Sequence, residues 1–165
     1  MKNLLSNDDK KVKSALDRAD KSGTIEWVEP LLEAFSLRKD DSLKERMREL
    51  LSSVKLSAAE GVFLDTLNNQ DKKDIHADVI GFIWSAGFVP EESIDLIVRC
   101  ATSGDYRAAI EGLTLVEQFD LVENEQVLLE AILTIRNALD CKEKSDVHSL
   151  YKLMLEVLIN LERNQ

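Results

Sequence analysis

Proline and glycine are scarce, two and six in 165 residues, so little of the chain is suited to turns and helix interiors should dominate. Aromatic residues make up only 5% of the sequence. No stretch alternates β-branched with polar residues, and there is no Asn-Gly or Asp-Gly hairpin signal, so no strand is assigned. The two cysteines, Cys100 and Cys141, lack paired metal spacing, and a chain of this length does not need a staple. Both are expected as reduced thiols in a cytoplasm. The start, Met1-Lys2-Asn3-Leu4-Leu5-Ser6, turns to Asp8-Asp9 before the apolar stretch of about seven residues that an export signal needs. Nowhere do roughly 18 apolar residues run uncharged, which argues against a membrane span. Basic clusters are missing too: the formal net charge is −10, which counts against nucleic acid as a partner, since phosphate neutralisation needs grouped Lys and Arg.

What the chain does have is helical periodicity. Leu43, Met47, Leu50, Leu51 and Val54 fall on one stripe, with charged residues between them. The stripe opens on Ser42-Leu43-Lys44-Glu45, a capping box, and Ser57-Ala58-Ala59-Glu60 is a second. The same reasoning predicts a lead helix over 9–19 and further helices near 25–37, 43–54, 58–67, 72–86, 91–102, 106–119, 124–139 and 146–161. Turns are expected at Ser22-Gly23-Thr24, Asp40-Asp41, Asn68-Asn69-Gln70-Asp71, Gly87-Phe88-Val89-Pro90, Ser103-Gly104-Asp105, Glu123-Asn124 and Lys142-Glu143-Lys144-Ser145. Within these, Asp71 and Asp105 would cap the helices that follow, and Gly104 would take a left-handed cap. Pro30 falls inside its predicted helix and should kink it. Short connections make successive helices antiparallel neighbours. The expectation is one domain, 1–165, with helix pairs near 25–54, 58–86, 91–119 and 124–161.

The pairs start roughly 33 residues apart, a helical-solenoid spacing. The segment from Gly23 to Phe35, Gly-Thr-Ile-Glu-Trp-Val-Glu-Pro-Leu-Leu-Glu-Ala-Phe, with the Asp-rich turn and amphipathic helix after it, resembles a degenerate HEAT repeat. Ile83-Trp84-Ser85-Ala86-Gly87 and Gly104-Asp105-Tyr106-Arg107-Ala108-Ala109 resemble segments of small HEAT-like proteins of Bacteroidota, and the second is also similar to a tetratricopeptide turn. The resemblance implies an all-α fold, an α-α superhelix in which antiparallel helix pairs form a HEAT/armadillo-like right-handed stack. It implies no substrate. HEAT-like alkylpurine DNA glycosylases need a basic concave face, for which this chain lacks the charge.

Several groups of residues invite a functional reading. The halves 1–82 and 83–165 carry −2 and −8, and the later charge concentrates in an acidic block that includes Glu111, Glu117, Asp120 and Glu123. This block reads either as a surface steering a basic partner or as a solvated helical face, with Glu123 favoured simply by its place near a helix start. Asp71, Asp74, His76 and Asp78 do not make a metal site, because Asp74 and Asp78 share a helical face that His76 does not; His148 has no second His nearby. No serine sits in a glycine-flanked elbow and no glycine loop could cradle a phosphate, so neither an enzyme nor a cofactor is expected. Trp27 and Trp84 could mark a ligand groove, with core packing or an inter-helix seam the stronger reading. The last predicted helix is apolar over roughly 240° of its wheel. A homodimer through Tyr151, Leu155 and Ile159 is favoured, with intramolecular burial and a different protein partner as alternatives. The expected function is a non-catalytic protein-binding module, a HEAT-like adaptor or regulator; the alternative is a small acidic inhibitor or immunity-type protein that masks a basic enzyme.

Overall fold

In the computed structural model, residues 2–39, 42–141 and 146–163 are described, except for the side chains of Lys2 and Cys141. The predicted turns at Asp40-Asp41 and Lys142-Glu143-Lys144-Ser145 lie outside the described residues. Among those residues the secondary structure is helical throughout, with α-helices α1 (Asp9–Ser22), α2 (Val28–Leu37), α3 (Ser42–Ser52), α4 (Ala59–Asn68), α5 (His76–Ala86), α6 (Ile94–Ser103), α7 (Tyr106–Val116), α8 (Glu125–Cys141) and α9 (Val147–Arg163). Each predicted helix is present. The backbone falls into two compact units, 1–62 and 63–165, with the boundary inside α4. No described helix is long and apolar enough to cross a membrane.

Three helices begin later than their periodicity suggests, because a 3₁₀ turn precedes them at Ile25–Trp27, Gln70–Ile75 and Glu91–Ser93. The first of these removes the expected kink. With α2 starting at Val28, Pro30 is its third residue, where the missing N–H is one that a helix start leaves unpaired in any case. Capping also departs from expectation. Asn69 rather than Asp71 caps the second 3₁₀ segment, its Oδ1 accepting from the Asp71 N–H at 2.9 Å. Asp105 caps α7 as expected, through the Ala108 N–H at 3.0 Å, but Gly104 is extended (φ −89°, ψ −164°). Glycine is required there for space, since a Cβ would come within 2.4 Å of the Ala108 Cβ. The left-handed glycines are Gly23 and Gly87.

In the first unit, α1 buries Val12, Ala15, Leu16 and Ala19, positions i, i+3, i+4 and i+7 of one stripe. α1 packs on α3, which buries Met47 and Leu51, and on the short 3₁₀ turn ahead of it that carries Leu4; α2, which buries Leu31, Leu32 and Phe35, packs on α3 and on the same turn. Lys44 and Arg48 of α3 lie over the Phe35 ring, at 4.6 and 5.3 Å. Arg38 pairs with Asp9 at 3.1 Å, and Arg46 with Asp20 at 2.6 Å.

In the second unit, alternate helices lie side by side: α5 packs on α7, α7 on α9, and α6 on α8, while α6–α7 and α8–α9 pack as consecutive pairs. This gives one layer of α5, α7 and α9 and another of α6 and α8. Phe63 and Leu67 of α4 are buried in this unit, where Phe63 meets Phe82 and Phe88 with ring centroids 6.1 and 6.3 Å apart. The layers approach closely at Gly112 of α7. A Cβ there would lie 2.4 Å from the Ala101 Cβ of α6 and 3.4 Å from the Met154 Cε of α9. Gly112→Ala should therefore destabilise the protein by about 1–3 kcal/mol through overpacking. Gly61, in α4 with nothing within 4 Å of a Cβ, serves as the control, and Gly61→Ala should be neutral or stabilising by up to about 1 kcal/mol. Urea unfolding checks both, and equal effects would refute the close approach.

Candidate functional site

The helix α5 is apolar on nearly every face, burying Val79, Ile80, Phe82, Ile83 and Ala86. Two of its polar groups, the Asp78 carboxylate and the Trp84 indole N–H, face partners on α7. The Asp78 side chain is only 8% exposed, and Arg107 holds it, Nη2 to Oδ1 at 2.6 Å. A carboxylate this buried needs such a partner, since an unpaired charge would be costly to desolvate. One turn along α7, Glu111 lies within 3.7 Å of Arg107 Nε. Its Oε2 accepts the Trp84 indole N–H at 2.7 Å. Gly81 lies beneath this bridge, where a Cβ would stand 3.1 Å from Oε2. The chain Asp78–Arg107–Glu111–Trp84 thus links α5 to α7 and fixes the orientation of an indole that is itself 40% exposed. Of the two packing readings for Trp84, the core and an inter-helix seam, the structure shows the seam: the indole edge is tied to α7 while the residue stays partly in solvent. Ile110 and Tyr106 on α7 are exposed as well. Trp27, in the first unit, is half-buried.

This arrangement divides the acidic block. Glu111 is half-buried and engaged by Trp84 and Arg107, so it is corrected from a free surface acid to an internal acceptor. Glu117, Asp120 and Glu123 are exposed on the connection after α7, which is anchored by buried Phe119 and Val122. Glu123 stands just before α8, where the positive end of the helix dipole favours it. Glu117 closes α7 through its backbone N–H to Leu113 O at 2.9 Å, at the end where the dipole disfavours an anion. Helix electrostatics therefore accounts for Glu123 but not for Glu117.

On α9, Tyr151 is fully buried, and its hydroxyl donates to the Thr102 carbonyl at the end of α6, at 3.2 Å. It is withdrawn from any dimer face, because it satisfies a carbonyl that the helix end leaves open. Met154, Leu158 and Leu161 are buried beside it. Leu155 and Ile159 are half-buried on one flank, and Leu153 is exposed on the far side.

Among the described residues, no three His, Cys, Asp or Glu side chains gather to hold a metal ion. His76 Nε2 bonds the Asn69 carbonyl, and His148 Nε2 that of Leu139, each at 3.1 Å. The Cys100 thiol is buried and directed to the Leu67 carbonyl at 3.5 Å. Burial pushes its pKa up from 9.0 to about 11, which leaves it a poor nucleophile at neutral pH.

Two measurements test these assignments. Arg107→Ala should cost about 1–3 kcal/mol by taking the guanidinium away from the buried Asp78 carboxylate; adding Asp78→Asn should recover part of the loss, and additive penalties in urea unfolding would count against the pair. The raised thiol pKa stabilises the fold below pH 9 and loses that contribution as pH rises through about 11, because the unfolded chain then ionises more readily. In a Cys141→Ser background, Cys100 should resist alkylation at pH 8 and react once denaturant is added. Equal rates in both conditions would overturn its burial.

No family model, curated protein or solved structure matches the chain.

Proposed function

We propose that the chain is a non-catalytic protein-binding module, a HEAT-like adaptor or regulator of the cytoplasm, whose helix pairs continue as a right-handed α-α superhelix. Two features support the repeat reading. In 63–165, alternate helices pack in layers, as they do when similar units are stacked. Polar ties between helices also recur at similar separations: Asp9 to Arg38 and Asp78 to Arg107 are 29 residues apart, Trp84 to Glu111 is 27, and Glu92 to Asn124 is 32. Such separations lie close to the roughly 33-residue unit read from the sequence.

The observation that carries the binding reading is Trp84. A large aromatic held by its N–H, with its ring in solvent, is a contact residue prepared in advance: little side-chain entropy remains to be lost when a partner covers it. Ile110 and Tyr106 extend the apolar surface. The alternative, a small acidic inhibitor or immunity-type protein masking a basic enzyme, is favoured by one specific observation, the exposed acids Glu117 and Asp120 placed where helix electrostatics does not ask for them. A homodimer along α9 would use Leu155 and Ile159 without Tyr151.

Crosslinking with mass spectrometry in the native cell separates these readings. The adaptor reading expects one protein to be captured reproducibly and lost with Trp84→Ala. The inhibitor reading expects a basic partner lost with Glu117→Lys and Asp120→Lys. Links between two copies at α9 would report the homodimer. A captured set unchanged by every variant would overturn the binding assignment.

A further inference from the structure

Away from Trp84, the second unit contains a cleft of about 400 Å³, bounded by the 3₁₀ segment Gln70–Ile75, the start of α5, the end of α6 and the start of α7. This lies within the range of about 300–1,000 Å³ usual for small-molecule sites. One wall follows directly from local geometry. In a 3₁₀ helix, side chains three apart eclipse, so Gln70, Lys73 and His76 stack along one face, and all three line the cleft.

His76 is the most buried of these, at 6% exposure. Its Nε2 faces the Asn69 carbonyl, which can only accept, so this nitrogen carries a proton and Nδ1 is the acceptor of the neutral ring. Nδ1 makes no hydrogen bond of its own. No sealed side-chain nitrogen or oxygen among the described residues lacks a partner, so Nδ1 must reach an opening, and the cleft is the one that His76 lines. Among the described residues, neither Lys73 nor Asp74 has an ion-pair partner. Across the cleft, Arg99 uses one guanidinium nitrogen on Asp95, at 3.4 Å, and retains other donors. Asp105 stands at the cap of α7.

Charge then narrows the ligand. The cleft is lined by two cations, Lys73 and Arg99, and two carboxylates, Asp74 and Asp105. A simple anion meets two like charges, a simple cation meets two others, and a small molecule carrying both signs satisfies each. From this balance and the open imidazole nitrogen, we infer that the cleft is a binding site for a small zwitterion of the α-amino-acid class. The carboxylate pairs with Lys73 and Arg99, the ammonium group with Asp74, and Nδ1 of His76 accepts a ligand N–H. The remainder of the cleft, by Ala77 and Ala108, leaves room for a side chain. Trp84, Tyr106 and Ile110 do not line the cleft, so each assignment can fail without the other.

The test is NMR of the full, isotopically labelled chain, titrated with the protein amino acids one at a time, and with acetate and methylammonium at matched ionic strength. At least one amino acid should move the backbone amides of Lys73, Ala77 and Gly104 saturably, with neither acetate nor methylammonium doing so. Lys73→Ala and Asp74→Asn, both at exposed positions, should each weaken that affinity about tenfold or more, a loss of about 1.4 kcal/mol; Lys72→Ala should not. A saturable response to acetate of equal strength would make this an anion site and overturn the inference. So would a flat titration with every amino acid, or binding indifferent to Lys73→Ala.

Discussion

The absence of a side chain at Gly112 lets α6, α7 and α9 meet at one point, and the rest of the second unit depends on that meeting. Ala101 fills the place a Cβ would need, and Met154 of α9 closes over it. With the helices this close, the Tyr151 hydroxyl reaches the last carbonyls of α6. One approach thus draws in a consecutive helix and a more distant one. Packing energy falls steeply with small gaps, so a crossing set by Gly against Ala leaves little latitude in how the layers register.

That register decides what the neighbouring α5–α7 seam can display. Holding α7 against α5 puts Arg107 opposite Asp78 and Glu111 opposite Trp84, and the polar bridge between them fixes the tryptophan at the seam with part of its surface in solvent. The bridge and the cleft share an origin, since α5 begins at His76 immediately after the 3₁₀ segment that lines the cleft. A late helix start, caused by a 3₁₀ turn that Asn69 caps, both shortens α5 and stacks Gln70, Lys73 and His76 on one side. Local backbone choice and surface chemistry are linked here by the three-residue period of that turn.

Helix position was legible along the chain because it is set by neighbours three and four residues away, and the stripes of α1, α3 and α6 state it plainly. Asp105 as a cap was legible for the same reason. Capping at Asn69 and the extended Gly104 were harder to read, because Asn69 and Asp71 compete for one cap and because glycine can be selected for space as well as for conformation. The burial of Tyr151 and the engagement of Glu111 depend on partners 49 and 27 residues distant. A clue to the second did exist: with units spaced by roughly 33 residues, a polar residue on one helix finds its partner about one unit away, as Asp78 finds Arg107.

The sequence by itself therefore determined the all-helical class, the number and order of helices, and the excess of acid in the later half, because composition, periodicity and capping are local or additive properties. Only the tertiary structure decided which acids are surface charges and which are internal acceptors, and which tryptophan faces solvent. It also decided that Lys73, His76 and Arg99 share one cleft. Those outcomes depend on which helices face each other and how closely, and that is set by side-chain volumes at crossings such as Gly112 with Ala101, where residues far apart in the chain are forced into contact.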